Sequence, residues 1–122
     1  MNYVLDASAL LARLNRETGA DRVEQALLDG ACCGTANWSE TIQKILRQGH
    51  SPIVTRGLLD SYGLRFEPVT VEDALWAAER WRPGESLSLA DRLCMALGER
   101  LDAEILTADR TWGTQGRITQ IR

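Results

Sequence analysis

What this chain of 122 residues nearly lacks is lysine, histidine and cysteine. Its one histidine, His50, lies between Gly49 and Ser51 and has no second imidazole with which to share a metal. Neither a histidine metal pair nor histidine catalysis is expected. The three cysteines, Cys32, Cys33 and Cys94, are odd in number and show no C-x-x-C spacing. That excludes a disulfide framework and a cysteine zinc site, and leaves them as small buried hydrophobes. Long apolar runs are missing too. None approaches the ~20 residues that cross a bilayer, and the opening residues lack the basic stretch of a signal peptide. The expectation is a cytoplasmic protein with no membrane association. Lys44 is the only lysine among fourteen basic residues. Arginine suits phosphate binding, although coding composition produces the same bias.

The chain is 44% hydrophobic and 25% charged, ordinary for a globular protein, and long enough to bury a core without disulfide or metal staples. A single domain over residues 1–122 is expected. Tyr3, Val4 and Leu5 form an apolar run that ends in Asp6 and passes directly into helix-forming residues through Leu14. Because it is apolar at successive positions, it reads as a strand covered on both faces, as in parallel sheets. Ala31 to Gly34, Leu64 to Val69, Ile105 to Thr107 and Ile118 to Ile121 read as further strands, with Phe66 and Val69 buried. Helices are expected from Ala20 to Gly30, Asn37 to Gln48, Ser51 to Tyr62, Thr70 to Trp81 and Ser88 to Leu101. Ile42, Ile45 and Leu46 should face the core from the third helix, and Leu75, Ala78 and Trp76 should form the apolar face of the fifth. Strands alternating with helices predict a three-layer α/β/α sandwich around a central, mainly parallel five-stranded sheet.

Ligand sites in such sheets lie at the carboxyl ends of the strands, and acids recur there. Asp6 and Asp109 each end a strand, while Glu40 and Asp91 fall in the first turns of helices on the same rim. Taken singly, each has a commoner role: Asp6 as an N-cap, Glu40 in a capping box with Asn37, Asp91 as a cap of its own helix. Four converging carboxylates would raise one another's pKa, and a divalent cation is the natural compensation. Oxygen ligands without cysteine or histidine point to Mg²⁺ or Mn²⁺.

Four runs carry a family likeness: Val4-Leu5-Asp6-Ala7-Ser8-Ala9, Asn37-Trp38-Ser39-Glu40, Leu87-Ser88-Leu89-Ala90-Asp91-Arg92-Leu93 and Leu106-Thr107-Ala108-Asp109-Arg110. They resemble the motifs of PIN-domain nucleases, most of all the VapC toxins of bacterial toxin–antitoxin pairs. The likeness runs in order over nearly the whole chain, with all four acidic positions filled. It departs at Arg92, where many relatives carry a small residue. The resemblance implies a PIN-like fold and a Mg²⁺-dependent endoribonuclease acting as a toxin. In that role Asp6, Glu40, Asp91 and Asp109 would hold one or two Mg²⁺ or Mn²⁺ ions, and a metal-activated water would hydrolyse RNA phosphodiester bonds. It also implies that Ser8 and Thr107 orient the acids. The implied partners are RNA, a second copy in a homodimer, and a cognate small antitoxin whose arginine or lysine lies near Asp6 and Asp91. The dimer surface would draw on the third and fifth helices, with Trp76 or Trp81 as anchors.

Setting the four acids aside moves the formal net charge from −3 to +1, so a metal-loaded protein no longer strongly repels a polyanion. Arg47, Arg56, Arg92 and Arg110 are candidate phosphate contacts, and Trp38 and Trp112 are candidate platforms for unpaired bases. For each, solvated surface or core is the commoner role. Phosphoryl transfer to aspartate is disfavoured, because Asp6-Ala7-Ser8 lacks a second aspartate and no lysine occurs late in the chain. A catalytically silent PIN-like module that binds RNA or a partner fits the same residues.

Overall fold

The structure is a computed structural model that describes residues 3–122. Its elements are β1 (Tyr3–Leu5), α1 (Ala7–Leu14), α2 (Ala20–Asp29), β2 (Ala31–Gly34), α3 (Thr35–Arg47), α4 (Pro52–Ser61), β3 (Arg65–Glu67), α5 (Val71–Arg80), α6 (Leu89–Leu101), β4 (Glu104–Thr107) and β5 (Ile118–Gln120), with a 3-10 turn at Arg110–Trp112. The strands form one five-stranded sheet in the order β3-β2-β1-β4-β5, every pair parallel.

Successive strand residues point to opposite faces, and here both faces are covered. Leu5, Cys33 and Leu106 pack against Leu10 of α1, Leu27 of α2 and Leu59 of α4. Val4, Cys32 and Ile105 pack against Cys94, Met95 and Leu97 of α6 on the other side. The unbroken apolar runs in the sequence are therefore the signature of three layers. Gly98 lets α6 approach this closely, since a Cβ there would lie 2.5 Å from the Ile105 side chain. All three cysteines are buried free thiols, and burial pushes that of Cys32 up to about 11. No helix among the described residues is long and apolar enough to cross a membrane.

The topology places the site. From β1 the sheet grows outward through β2 and β3; the chain then returns by α5 and α6 to the other side of β1, where it adds β4 and β5. The direction of building thus reverses between β1 and β4, and open α/β sheets bind ligands in the crevice beyond the carboxyl ends of such strands. Asp6 directly follows β1, and Asp109 follows β4.

Local details differ from the expectations. Helix α3 starts at Thr35 behind Gly34, which caps it without a side chain, so Glu40 lies in the second turn and no Asn37–Glu40 capping box forms. Gly34 has little room for a side chain, because a Cβ would sit 3.2 Å from Asn37 Oδ1. Strand β3 stops before Pro68, which cannot donate to the ladder, and Val69 is exposed instead of buried. Helix α5 is also rotated: Asp73, Trp76 and Ala77 face inward, whereas Leu75 is 61% exposed and Ala78 is exposed. The Asp73 carboxylate is held by Arg100 of α6, and residues three and four positions later share its face. In α3, Ile45 is buried and Leu46, one position round the helix, is exposed. Strand β5 ends at Gln120, although Ile121 remains buried.

Candidate active site

Asp6 lies at the N-terminus of α1 and is only 4% exposed. Its Oδ1 accepts a hydrogen bond from the Ala9 backbone N–H at 2.8 Å, so it is the helix cap that its position suggested. Two hydroxyls close around the rest of the carboxylate. Thr107 donates to Oδ2 at 2.6 Å, and Ser8 donates across both oxygens at 2.8 and 2.9 Å. Each hydroxyl also accepts a backbone N–H from the exit of β4: Ala108 donates to Ser8 and Asp109 donates to Thr107. With both protons directed at Asp6, the 3.2 Å approach of Ser8 Oγ to Thr107 Oγ1 is a contact between acceptors. The two hydroxyls therefore tie the ends of β1 and β4 together and hold the backbone that carries Asp109.

Asp91 and Asp109 are caps as well. Asp91 Oδ2 accepts from the Ser88 backbone while Ser88 Oγ accepts from Asp91, a reciprocal capping box that starts α6. Asp109 Oδ1 accepts from both the backbone and the hydroxyl of Thr111. Capping uses one oxygen of each carboxylate. Among the described residues Asp91 Oδ1, Asp109 Oδ2 and Glu40 Oε2 accept nothing from the protein, and Glu40 Oε1 accepts from Asn37 at 3.2 Å. All four acids line one open cavity of about 240 Å³, together with Ala7, Ser8, Lys44 and Ser88.

The electrostatics follow from that geometry. Burial pushes the Asp6 carboxyl up to about 6, against the Thr107, Ala9 and Ser8 donors, and the charge of Asp91 adds to the rise. Glu40 is also raised, by burial first and with Asp91 contributing, while Asn37 and Lys44 oppose the shift. The donor set consists of oxygen alone and fits a hard divalent cation. It is not a closed cage: among the described residues no three His, Cys, Asp or Glu side chains stand close enough to enclose an ion. Mg²⁺ keeps several waters and usually binds through one or two carboxylates plus substrate phosphates, so an open cavity suits it.

The candidate phosphate contacts are not brought to this cavity. Arg92 donates from Nη1 to the Ala77 carbonyl at 2.7 Å, its Nε buried without a partner, which makes it a link between α6 and α5. Arg56 pairs with Asp60 and lies over the Phe66 ring at 4.4 Å. Arg47 and Arg110 are exposed and line no part of the cavity. Trp112 is no platform for bases, because it is buried in the core against α6. Trp38 is half-buried and packs edge-on against Phe66, with ring centroids 4.8 Å apart.

Two residues at the site went unassigned in the sequence. Asn37 is 1% exposed, and its amide nitrogen donates both to Glu40 and to the Ala90 carbonyl, at 3.2 Å each. Both neighbours are acceptors, which sets the amide orientation. It thereby links Glu40 to the turn that carries Asp91. Its three-residue spacing from Glu40 was a visible signal, shared with the capping box that does not form here. Lys44 lies one helical turn beyond Glu40, and that four-residue spacing was the signal that places it on the same helix face.

The PIN domain family profile matches residues 3–115. No curated protein sequence matches the chain significantly. Among solved structures, the chain is similar to one in a toxin–antitoxin complex from Klebsiella pneumoniae, with a TM-score of 0.80, 14% identity and 98% of each chain covered. It is also similar to VapC20 of Mycobacterium tuberculosis, described as a sarcin-ricin loop cleaving toxin, with a TM-score of 0.69, 17% identity and 87% of each chain covered. A DNA-bound VapBC from Salmonella typhimurium aligns over 100% of this chain and 99% of its own, at a TM-score of 0.72 and 14% identity. At these identities the likeness is one of fold.

Proposed function

The chain belongs to the PIN-domain family, and from that premise we propose that it is a metal-dependent endoribonuclease, the toxin of a toxin–antitoxin pair. The observation that carries this reading is the single cavity that gathers Asp6, Glu40, Asp91 and Asp109 from distant parts of the chain while offering Asp6 no cation. Crowding carboxylates in this way is costly unless a cation completes the site. The toxin–antitoxin and RNA-cleaving descriptions of the structural neighbours support the same reading.

In this reading the four acids hold Mg²⁺ or Mn²⁺. Bound there, the ion supplies an activated water and offsets charge on the phosphoryl oxygens. Ser8 and Thr107 favour the ionised form of Asp6 against burial and fix its orientation, because both donate hydrogen bonds to it. Asp91 and Asp109 each hold one oxygen in a cap and present the other, so their carboxylates are oriented before any ligand arrives.

Two partners belong to the proposal. An antitoxin segment placing an arginine or lysine in the cavity would neutralise the same carboxylates and compete with metal. A homodimer would cover the apolar residues that α3 and α5 leave exposed, among them Leu46, Val71 and Leu75, with Trp81 as an anchor. Trp76 packs partly against the core and is the poorer anchor.

The open arrangement of the carboxylates favours one rival: a catalytically silent PIN-like module that binds RNA or a partner. Incubating purified protein with single-stranded RNA in Mg²⁺, in Mn²⁺ and in chelator separates the two. The nuclease produces new RNA ends only with metal, and Asp6→Asn or Asp91→Asn abolishes them while Asp21→Asn does not. RNA retained in chelator and never cut would establish the silent module instead.

A further inference from the structure

Among the described residues, Lys44 is the one basic residue that lines the acidic cavity. It is exposed, and among the described residues it makes neither an ion pair nor a side-chain hydrogen bond. The bland role for a lysine four residues after a glutamate is a helix-surface pair. That contact is not made here: the Lys44 charge acts on Glu40 only from a distance, and the one hydrogen bond Glu40 accepts comes from Asn37 to Oε1. We infer that the Lys44 ammonium is the site's contact for an RNA backbone phosphate, the cation that lets a polyanion enter a cavity walled by four carboxylates. This rests on the proposed ribonuclease reading and names a substrate contact within it.

The choice of lysine in a chain otherwise basic through arginine has a physical reason. Arginine pairs with carboxylates through a planar fork, as Arg80 does with Glu85 and Arg100 with Asp73. Beside Glu40 and Asp91 such a fork would close onto the acids and fill the cavity with an internal ion pair. An ammonium on a flexible stem is a strongly hydrated point charge, less committed to any one carboxylate and free to meet a phosphate.

The test uses the full chain and two readouts. The first is steady-state cleavage of a single-stranded RNA oligonucleotide in Mg²⁺. Lys44→Gln should raise KM about tenfold and leave kcat within about threefold, because a ground-state phosphate contact is lost. The second is fluorescence anisotropy of the same RNA on Asp91→Asn protein, which leaves the RNA uncut. Adding Lys44→Gln should weaken binding by a similar factor and lower the slope of log affinity against log salt by about 0.7, the value for one contact to a single strand. Arg16→Gln, which removes an exposed charge away from the cavity, should change neither readout. Calorimetric Mn²⁺ binding should not weaken in Lys44→Gln, since a neighbouring cation opposes the metal.

Unchanged KM and salt slope in Lys44→Gln would overturn the inference, as would an equal effect of Arg16→Gln, which would reduce it to net charge. A loss of Mn²⁺ affinity in Lys44→Gln would also overturn it, by making Lys44 a support of the metal site. A parent that neither binds nor cleaves RNA with Mg²⁺ or Mn²⁺ would instead remove the ribonuclease reading itself, and this inference with it.

Discussion

Asp6 and Asp73 are both 4% exposed, and the fold surrounds them in opposite ways. Asp73 receives Arg100 Nε on one oxygen at 3.0 Å and Arg100 Nη2 and the Thr70 backbone on the other. Burial pushes its carboxyl up, but Arg100 and the capping bonds outweigh burial and hold it below its ordinary value. Asp6 has only neutral donors, and its carboxyl rises to about 6. The same contrast holds between two capping boxes of identical form, Thr70 with Asp73 and Ser88 with Asp91. The first is closed by an arginine, and the second opens onto the cavity. Exposure and capping alone therefore do not set the two acids apart. Asp73 has an arginine against its carboxylate, whereas Asp6 has none and lies deeper in the fold.

The sharpest break of this comparison is catalytic. Asp6→Asn should lower Mg²⁺-dependent RNA cleavage at least a thousandfold, on the order of 4 kcal/mol of barrier, while Asp73→Asn should keep metal-dependent cleavage. Equal losses in both, measured on folded protein, would erase the distinction. Next in size is a pH effect in chelator. The folded-state value for Asp6, about 6, lies above the ordinary 3.8, so its proton stabilises the fold. That contribution is complete below about pH 4 and is lost as pH rises through 6, roughly 3 kcal/mol in all. Urea unfolding across this window should show the loss in the parent and a flatter profile in Asp6→Asn. Asp73, with its lowered value, acts in the opposite sense, stabilising at neutral pH and ceasing to do so in acid.

Metal sharpens the comparison further. A ligand bound only by the folded state stabilises it by about 2.7 kcal/mol at a hundred times its Kd. Thermal unfolding in millimolar Mg²⁺ should show a gain of that order in the parent and in Asp73→Asn, and a smaller one in Asp6→Asn. Slightly smaller is the effect of removing the internal cation. Arg100→Ala strands a buried carboxylate and should destabilise the protein by about 2 kcal/mol, whereas Asp6→Asn in chelator should be neutral or stabilising. The smallest change is Asn37→Ala. It leaves the Ala90 carbonyl without that donor and should cost about 1 kcal/mol, with weaker calorimetric Mn²⁺ binding because Glu40 loses its tether.

Much of this arrangement was legible in the sequence where the signals were local. The run Tyr3 to Asp6 and the run Ile105 to Asp109 each announce a doubly covered strand that delivers an acid, because both the burial pattern and the helix start lie within a few residues. The helix rotations were less legible. Leu75 and Ala77 differ by two positions in a helix apolar on several sides, and only the pairing of Asp73 with Arg100 across α5 and α6 turns Ala77 inward. Arg92 and Trp112 were undecided in the sequence for the same reason. Beside an acidic motif each was a candidate substrate contact as well as an ordinary surface or core residue, and the partners that claim them, Ala77 and the core against α6, are distant in the chain.

By itself the sequence determined the strand–helix alternation and the placement of Asp6, Asp91 and Asp109 at element ends, since these rest on periodicity and capping within a single turn or strand. Only the tertiary structure decided which acid stays without a cation, which basic residue meets the cavity, and that Asn37 links Glu40 to the turn of Asp91. Those outcomes depend on side chains from separate elements coming within a few ångströms, and the charge, burial and hydrogen bonding of each are set by neighbours that sequence distance does not reveal.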